Sequence, residues 1–234
     1  MSTLFYVDTI IHDRLLGRKT SFNDRLHQAL LIAAGGNGHE NRGRKEATAP
    51  GVYPEVLTVG SLDGEGQLQP YAEWIPDLRK PDIFMCDQLA GTALEGALND
   101  NVVQGDNLLI GPGTHGSSFA AIHGVAAAIL VWTTLPKLSP DRVRNLLRQA
   151  SRPVEKNSEF SPMALTVQAA VTEARLEDIR QTLMEDPCPL QTLAAITGLE
   201  PQLVSDSLDV LLAEGEVRRL TRGRIERYEW IPRG

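Results

Sequence analysis

Apolar residues along this chain fall into three patterns, each predicting a different kind of element. Short continuous runs form the first: Leu4-Phe5-Tyr6-Val7 is compatible with a strand, and residues 30–34 (Leu-Leu-Ile-Ala-Ala) read as a strand buried on both faces. Gly35-Gly36-Asn37-Gly38 then closes that run as a turn. Helical spacing is the second pattern. Phe22, Leu26 and Ala29 predict a helix over residues 21–30 that covers a sheet, and Val143, Leu146 and Leu147 predict another. That second helix has Ser139 as its N-cap and Pro140 at its first position. The third pattern organises the rest. Residues 118–132 are apolar on every side and mostly small, and a helix without a polar face is expected to be buried. The preceding residues 111–116 are too rich in Gly and Pro to be regular, which places Ser118 in the first turn of this helix.

Beyond residue 153 the chain is mixed, and residues 155–172 read as a linker or packing arm. Leu176, Ile179 and Leu183 then predict a helix broken by Pro187-Cys188-Pro189; residues 190–199 predict a short helix stopped by Gly198, and residues 201–214 a third. Two strands, residues 215–220 and 225–230, flank Thr221-Arg222-Gly223-Arg224. Three helices followed by a hairpin in about 60 residues resemble a winged helix-turn-helix domain over 173–234.

The 234 residues suffice for one ordinary domain and a small one, and 42% hydrophobic with 23% charged residues is the balance of a soluble globular protein. The apolar run 119–132 holds His123 and Gly124 and is expected to be too short to span a bilayer. The first residues show no export signal, and Cys86 and Cys188 are expected to be free thiols in a reducing, cytoplasmic compartment. No metal-ligand spacing or cofactor motif is present, so neither is expected. A net charge of −7 disfavours nonspecific polyanion binding by the whole surface.

At a loop-to-helix junction the Ser118 hydroxyl has two uses: capping the helix, or standing as a nucleophile beside N–H groups that stabilise an oxyanion. Gly116-Ser117-Ser118-Phe119-Ala120-Ala121-Ile122-His123 resembles the Gly-Thr-Ser-x-Ala-Ala-Pro-His motif of subtilisin-like serine proteases, which carries their nucleophile. Further blocks keep the family's order. Residues 33–37 resemble its Ala-Ala-Gly-Asn segment, residues 53–60 its Tyr-Pro-x-Val-x-x-Val-Gly strand, residues 80–85 its Lys-Pro-Asp block, and residues 138–147 its later Pro-initiated helix. The resemblance covers residues 1–154 and implies an incomplete subtilisin-like α/β domain with a parallel sheet. Ser118 would be the nucleophile, and Asn37, otherwise an ordinary turn residue, would donate its side-chain amide to the oxyanion. Cys86 and Asp87 depart from the family's Pro and Gly, putting the following backbone turn in doubt. Ile122 replaces Pro and leaves a helix N–H.

A serine hydroxyl needs a base, and the family's Asp-(Ser/Thr)-Gly and His-Gly blocks find no match before Asn37. Asp8 is followed by Thr9-Ile10, and His12 by Asp13. His115 and His123 are not expected to serve as base; His123 matches the family's structural His. The chain is therefore expected to be inactive alone and to need an N-terminal partner segment that supplies Asp and His and takes a peptide substrate. The alternatives are a catalytically dead scaffold for protein interaction and a winged-helix DNA-associated regulator. Residues 171–234 carry eight Arg and no Lys against twelve acidic residues, a net of −4, and the third helix has no basic residue at all. Nucleic acid would meet Arg218, Arg219, Arg222, Arg224 and Arg227 of the hairpin, as weak phosphate contacts. A module for protein interaction or packing is the favoured reading.

Overall fold

The structure, a computed structural model, describes residues 29–38, 50–87, 90–91, 102–104, 107–109, 116–154, 162–222 and 225–232. The strand expected at residues 4–7 and nearly all of the helix expected at residues 21–30 lie outside them. The chain divides into two compact units, Met1–Trp132 with Lys137–Ala170, and Thr133–Pro136 with Val171–Gly234.

The first unit is built on a sheet of order β1-β2-β3-β8-β7: β1 (Leu31–Ala34), β2 (Val56–Leu62), β3 (Ile83–Cys86), β8 (Met163–Ala164) and β7 (Arg152–Pro153). The first four are parallel and β7 runs antiparallel to β8. Strand β2 is buried along its whole length, as a central parallel strand covered on both faces must be. In β1 only Ala33 is buried, which corrects the expectation of a strand covered on both faces. Ala90–Gly91 (β4), Val102–Gln104 (β5) and Asn107–Leu109 (β6) form a small antiparallel sheet of order β4-β6-β5. Within 155–172, Met163–Ala164 extends the main sheet and a helix begins at Val167.

Helix α1 (Ser117–Thr134) lies on this sheet. Ala120, Gly124, Ala127, Ala128 and Val131 are buried at helical spacing. Gly124 permits the close approach: a Cβ there would stand 2.9 Å from Val59 Cγ2, with Ile32 Cγ2 and Met85 Sδ next, so one residue meets side chains of β1, β2 and β3. The expectation of burial all round is corrected, because Ile122, Val125 and Ile129 of the opposite face are 52%, 43% and 56% exposed. A uniform apolar pattern gives a helix no preferred face; the small residues chose the one that can approach a sheet. The helix, four residues longer than the apolar run, has the length and apolar composition of a membrane span, a test that a core helix passes as well. Its packing on β-strand side chains is that of a core helix.

Helix α2 (Pro140–Gln149) starts as the sequence predicts: the Ser139 hydroxyl accepts the Arg142 N–H at 3.3 Å, and Val143, Leu146 and Leu147 are buried. Its far end is tied to the sheet through Asp82. That carboxylate binds Arg148 and Lys80 (2.6 Å) and accepts the Thr58 N–H at 2.7 Å. Asp87 is fully buried and accepts from Tyr71 Oη and Gln69 Nε2, while its own N–H reaches Leu62 O. Arg79 is the non-glycine residue of positive φ among those described, so Asp87 itself requires no glycine and its side chain anchors a loop; the turn in doubt, after position 87, lies outside the described residues.

The second unit holds α3 (Val167–Glu185, from Val171 on), α4 (Leu190–Thr197), α5 (Pro201–Ala213) and the antiparallel pair β9 (Val217–Arg222) and β10 (Ile225–Trp230). Its core gathers Ile179, Leu193, Val204, Leu208, Leu211 and Tyr228. Gly198 closes α4 in the left-handed conformation (φ 71°), and Pro201 opens α5 at its first turn. The half-buried Arg180 binds Glu173 (2.7 Å) and Glu216 (2.8 Å) and joins α3 to the approach to the hairpin. Cys86 and Cys188 are both free thiols.

Candidate active site

The turn after β1 and the start of α1 are clasped together. Ser117 N donates to Asn37 Oδ1 at 2.8 Å, and the buried Ser117 hydroxyl accepts the Gly36 N–H at 3.0 Å. Gly35 N in turn donates to Val59 O at 2.8 Å, which fixes the turn to β2. Of the two uses open to the Ser118 hydroxyl, capping is not the one adopted. Ser118 is the second residue of α1, exposed, and its hydroxyl makes no hydrogen bond among the described residues, while Asn37 takes the role of acceptor at the helix start.

The clasp also orients Asn37. A backbone N–H can be met only by the amide oxygen, so Oδ1 faces Ser117 and Nδ2 keeps its hydrogens for another acceptor. Nδ2 lies against Gly116, where a Cβ would stand 2.6 Å away, and Gly116 has φ 150°; both facts require glycine there. The exposed Ser118 hydroxyl stands in the first turn of α1, at the positive end of the helix dipole, one residue after the N–H that meets Asn37.

The imidazole among the described residues is His123. Its Nδ1 lies 2.6 Å from Cys86 O, and since a carbonyl only accepts, Nδ1 carries the proton. Five residues along a helix turn the side chain through about 140° from that of Ser118. His123 therefore ties α1 to the end of β3. His12, His27, His39 and His115 lie outside the described residues. No group of three or more His, Cys, Asp or Glu that could hold a metal occurs among the described residues.

Burial shifts several groups near this framework. It draws the Lys80 ammonium below its ordinary range, with the Asp82 carboxylate opposing that fall. It pushes the Tyr71 phenol well above its ordinary value, and the hydrogen bond to Asp87 adds to the rise. Sequence reasoning missed Ser117 and Glu73. Ser117 stands beside the residue that drew attention, and Glu73, 8% exposed, packs its carboxylate against Gly36 and Gly38. Two glycines flanking Asn37 were the available signal for that close approach.

In the second unit the hairpin arginines are partly committed. Arg218 pairs with Glu229, and Arg219 pairs with Glu226 at 3.2 Å and lies 5.7 Å from the Tyr228 ring centre. Arg227 is exposed, Arg222 ends β9, and Arg224 lies outside the described residues. The outer face of α5 carries the exposed Asp206 and Asp209.

Among solved structures, the self-cleaved protease domain of PatA is similar at 21% identity over 74% of this chain and 68% of that one, with a TM-score of 0.50. The patellamide maturation protease PatA gives the same identity and TM-score over 74% and 69%. The prenylagaramide maturation protease PagA gives 18% identity over 74% and 68%, with a TM-score of 0.51. At these identities the likeness is one of fold. A search of curated proteins found no match. The model of the subtilase family, peptidase S8, matches residues 12–182, well over half of the sequence and reaching into α3. With the parallel sheet, the helix laid across it and the Asn37–Ser117 clasp in place, that match establishes that the chain belongs to the subtilase family.

Proposed function

We propose that residues 1–154 carry the nucleophile and oxyanion half of a serine peptidase site, with Ser118 as nucleophile and the Asn37 amide as oxyanion donor. The observation that carries this reading is the 2.8 Å bond from Ser117 N to Asn37 Oδ1, which leaves Nδ2 available beside an exposed Ser118. The base comes from outside the described residues: a segment bearing Asp and His completes the site, and a peptide is the substrate. Without that base Ser118 stays a protonated alcohol, and the chain serves as a protein-binding scaffold. The test is labelling by a fluorophosphonate probe and turnover of a peptide library, by the chain alone and with a segment carrying the family's Asp-(Ser/Thr)-Gly and His-Gly blocks. Labelling of Ser118 only when the segment is added is expected. Turnover by the chain alone, abolished by Ser118→Ala, would refute the need for the segment; absence of labelling with it would refute the nucleophile.

For residues 173–234 we infer a winged-helix module, joined by the stretch 155–172 and used for protein interaction or packing. The supporting observation is the isolated bridge between Cys188 and Tyr228, with N–H···O bonds of 3.2 and 3.0 Å, which ties the segment before α4 to β10 beside the two-stranded hairpin. The acidic face of α5 and the glutamates holding Arg218 and Arg219 oppose a polyanion. DNA titration of the full chain is expected to show at most weak, salt-sensitive binding without sequence preference; sequence-selective binding that survives Arg222→Ala with Arg224→Ala would overturn this. The free thiols fit a reducing, cytoplasmic setting.

A further inference from the structure

Glu73 is the buried acid that the proposed site does not use. It is 8% exposed, and its Oε2 has no hydrogen-bond donor among the described residues. Its carboxylate straddles the turn that carries Asn37: a Cβ on Gly36 would overlap Oε2, and a Cβ on Gly38 would overlap Oε1. Gly36 also has a φ of 109°, which favours glycine, and at both positions the carboxylate occupies the space a Cβ would take. The Gly36 N–H is already given to Ser117 Oγ, so it does not satisfy the carboxylate. Contacts from glycine Cα–H groups are weak and fall far short of replacing the hydration of a carboxylate. Among the described residues of this unit, Lys80 and Arg148 are committed to Asp82, and Arg144 to Asp141 and the Glu55 carbonyl.

We propose that Glu73 is a specificity-determining residue that pairs with a lysine or arginine side chain of a bound peptide, brought against the Gly36–Gly38 turn next to Asn37. This rests on the reading of Ser118 and Asn37 as a peptide site. An organic cation fits better than a metal ion, since no group of three or more His, Cys, Asp or Glu that could complete a coordination shell occurs among the described residues. A guanidinium or ammonium needs one carboxylate and takes its remaining acceptors from backbone carbonyls.

The experiment measures the affinity of the full chain for blocked peptides that differ at one scanned position, carrying Arg, Lys, citrulline or norleucine. The Ser118→Ala chain is measured in parallel, so that binding is read apart from any reactivity of Ser118. At the best position, Arg and Lys are expected to bind at least tenfold tighter than citrulline and norleucine in both chains. Glu73→Gln is expected to abolish that preference while leaving the norleucine peptide unchanged, Glu73→Asp to weaken it, and Glu65→Gln, at an exposed acid, to leave it intact. Equal affinities, failure of every peptide to bind, or a preference that survives Glu73→Gln or Glu73→Asp unaltered would each overturn the proposal. A preference that holds in a chain whose Ser118 never labels would sustain this inference and refute the nucleophile alone.

Discussion

Replacing Lys80 by Met tests the clamp that holds the site's foundation. The Lys80 side chain is 4% exposed, and its Nζ donates to Val56 O at 2.6 Å and to Thr58 Oγ1 at 3.3 Å while pairing with Asp82 at 2.6 Å. Methionine matches its length and removes all three. Breaking a buried pair by deleting one partner costs about 3–5 kcal/mol, and Asp82 keeps Arg148 and the Thr58 N–H, which places Lys80→Met near 3 kcal/mol. That is a large share of the total stability of a domain, about 5–15 kcal/mol. Asp82→Asn leaves the buried ammonium without its carboxylate and is expected to cost at least as much. Because the two residues share one network, the double variant should cost less than the sum of the singles by more than about 1 kcal/mol. Urea unfolding gives the free energies, and hydrogen exchange over residues 56–62 reports the first unit by itself. Faster exchange is expected at Val59, whose carbonyl holds Gly35 and through it the Asn37 turn. A loss below about 1 kcal/mol for Lys80→Met, or strict additivity in the cycle, would refute the argument.

Three further outcomes follow from the same geometry. Asn37→Ala removes the acceptor for Ser117 N–H and should cost about 1 kcal/mol, whereas Asn37→Asp keeps an acceptor and sets a negative charge at the start of α1, so its urea midpoint should equal or exceed that of the parent chain. Gly124→Val drives a side chain into Val59 and should destabilise by about 1–3 kcal/mol, read as a lower urea midpoint with faster exchange in β2. Tyr71 has its pKa raised by burial and by Asp87, so its stabilisation is complete below the unfolded value of 10.0 and is lost as pH rises from there through the folded value. Urea midpoints between pH 9 and 11 should therefore fall less steeply for Tyr71→Phe than for the parent, although the variant starts less stable because Asp87 loses a donor.

Much of the frame is legible in the sequence because it follows from local chemistry. Ser139 and Pro140 start α2, Gly198 stops α4, and the alternation of Pro, Gly and apolar runs marks β1, β2 and the closing hairpin, since caps, turns and periodicity act within a few residues. The order of the blocks pointed to the subtilase family for the same reason. Residues 118–132 announced a helix but not its inward face, since a helix apolar all round carries no moment; Gly124 decided that only where three strands met it. Asn37 and Ser118 were visible as types, while the orientation of the Asn37 amide came from an N–H eighty residues away in sequence. For Glu73 the sequence offered only the two glycines flanking Asn37, which mark a close approach without naming what makes it. That its Oε2 has no donor among the described residues is a property of what the fold packs around it, and burial with unmet hydrogen-bonding capacity is a relation between distant segments.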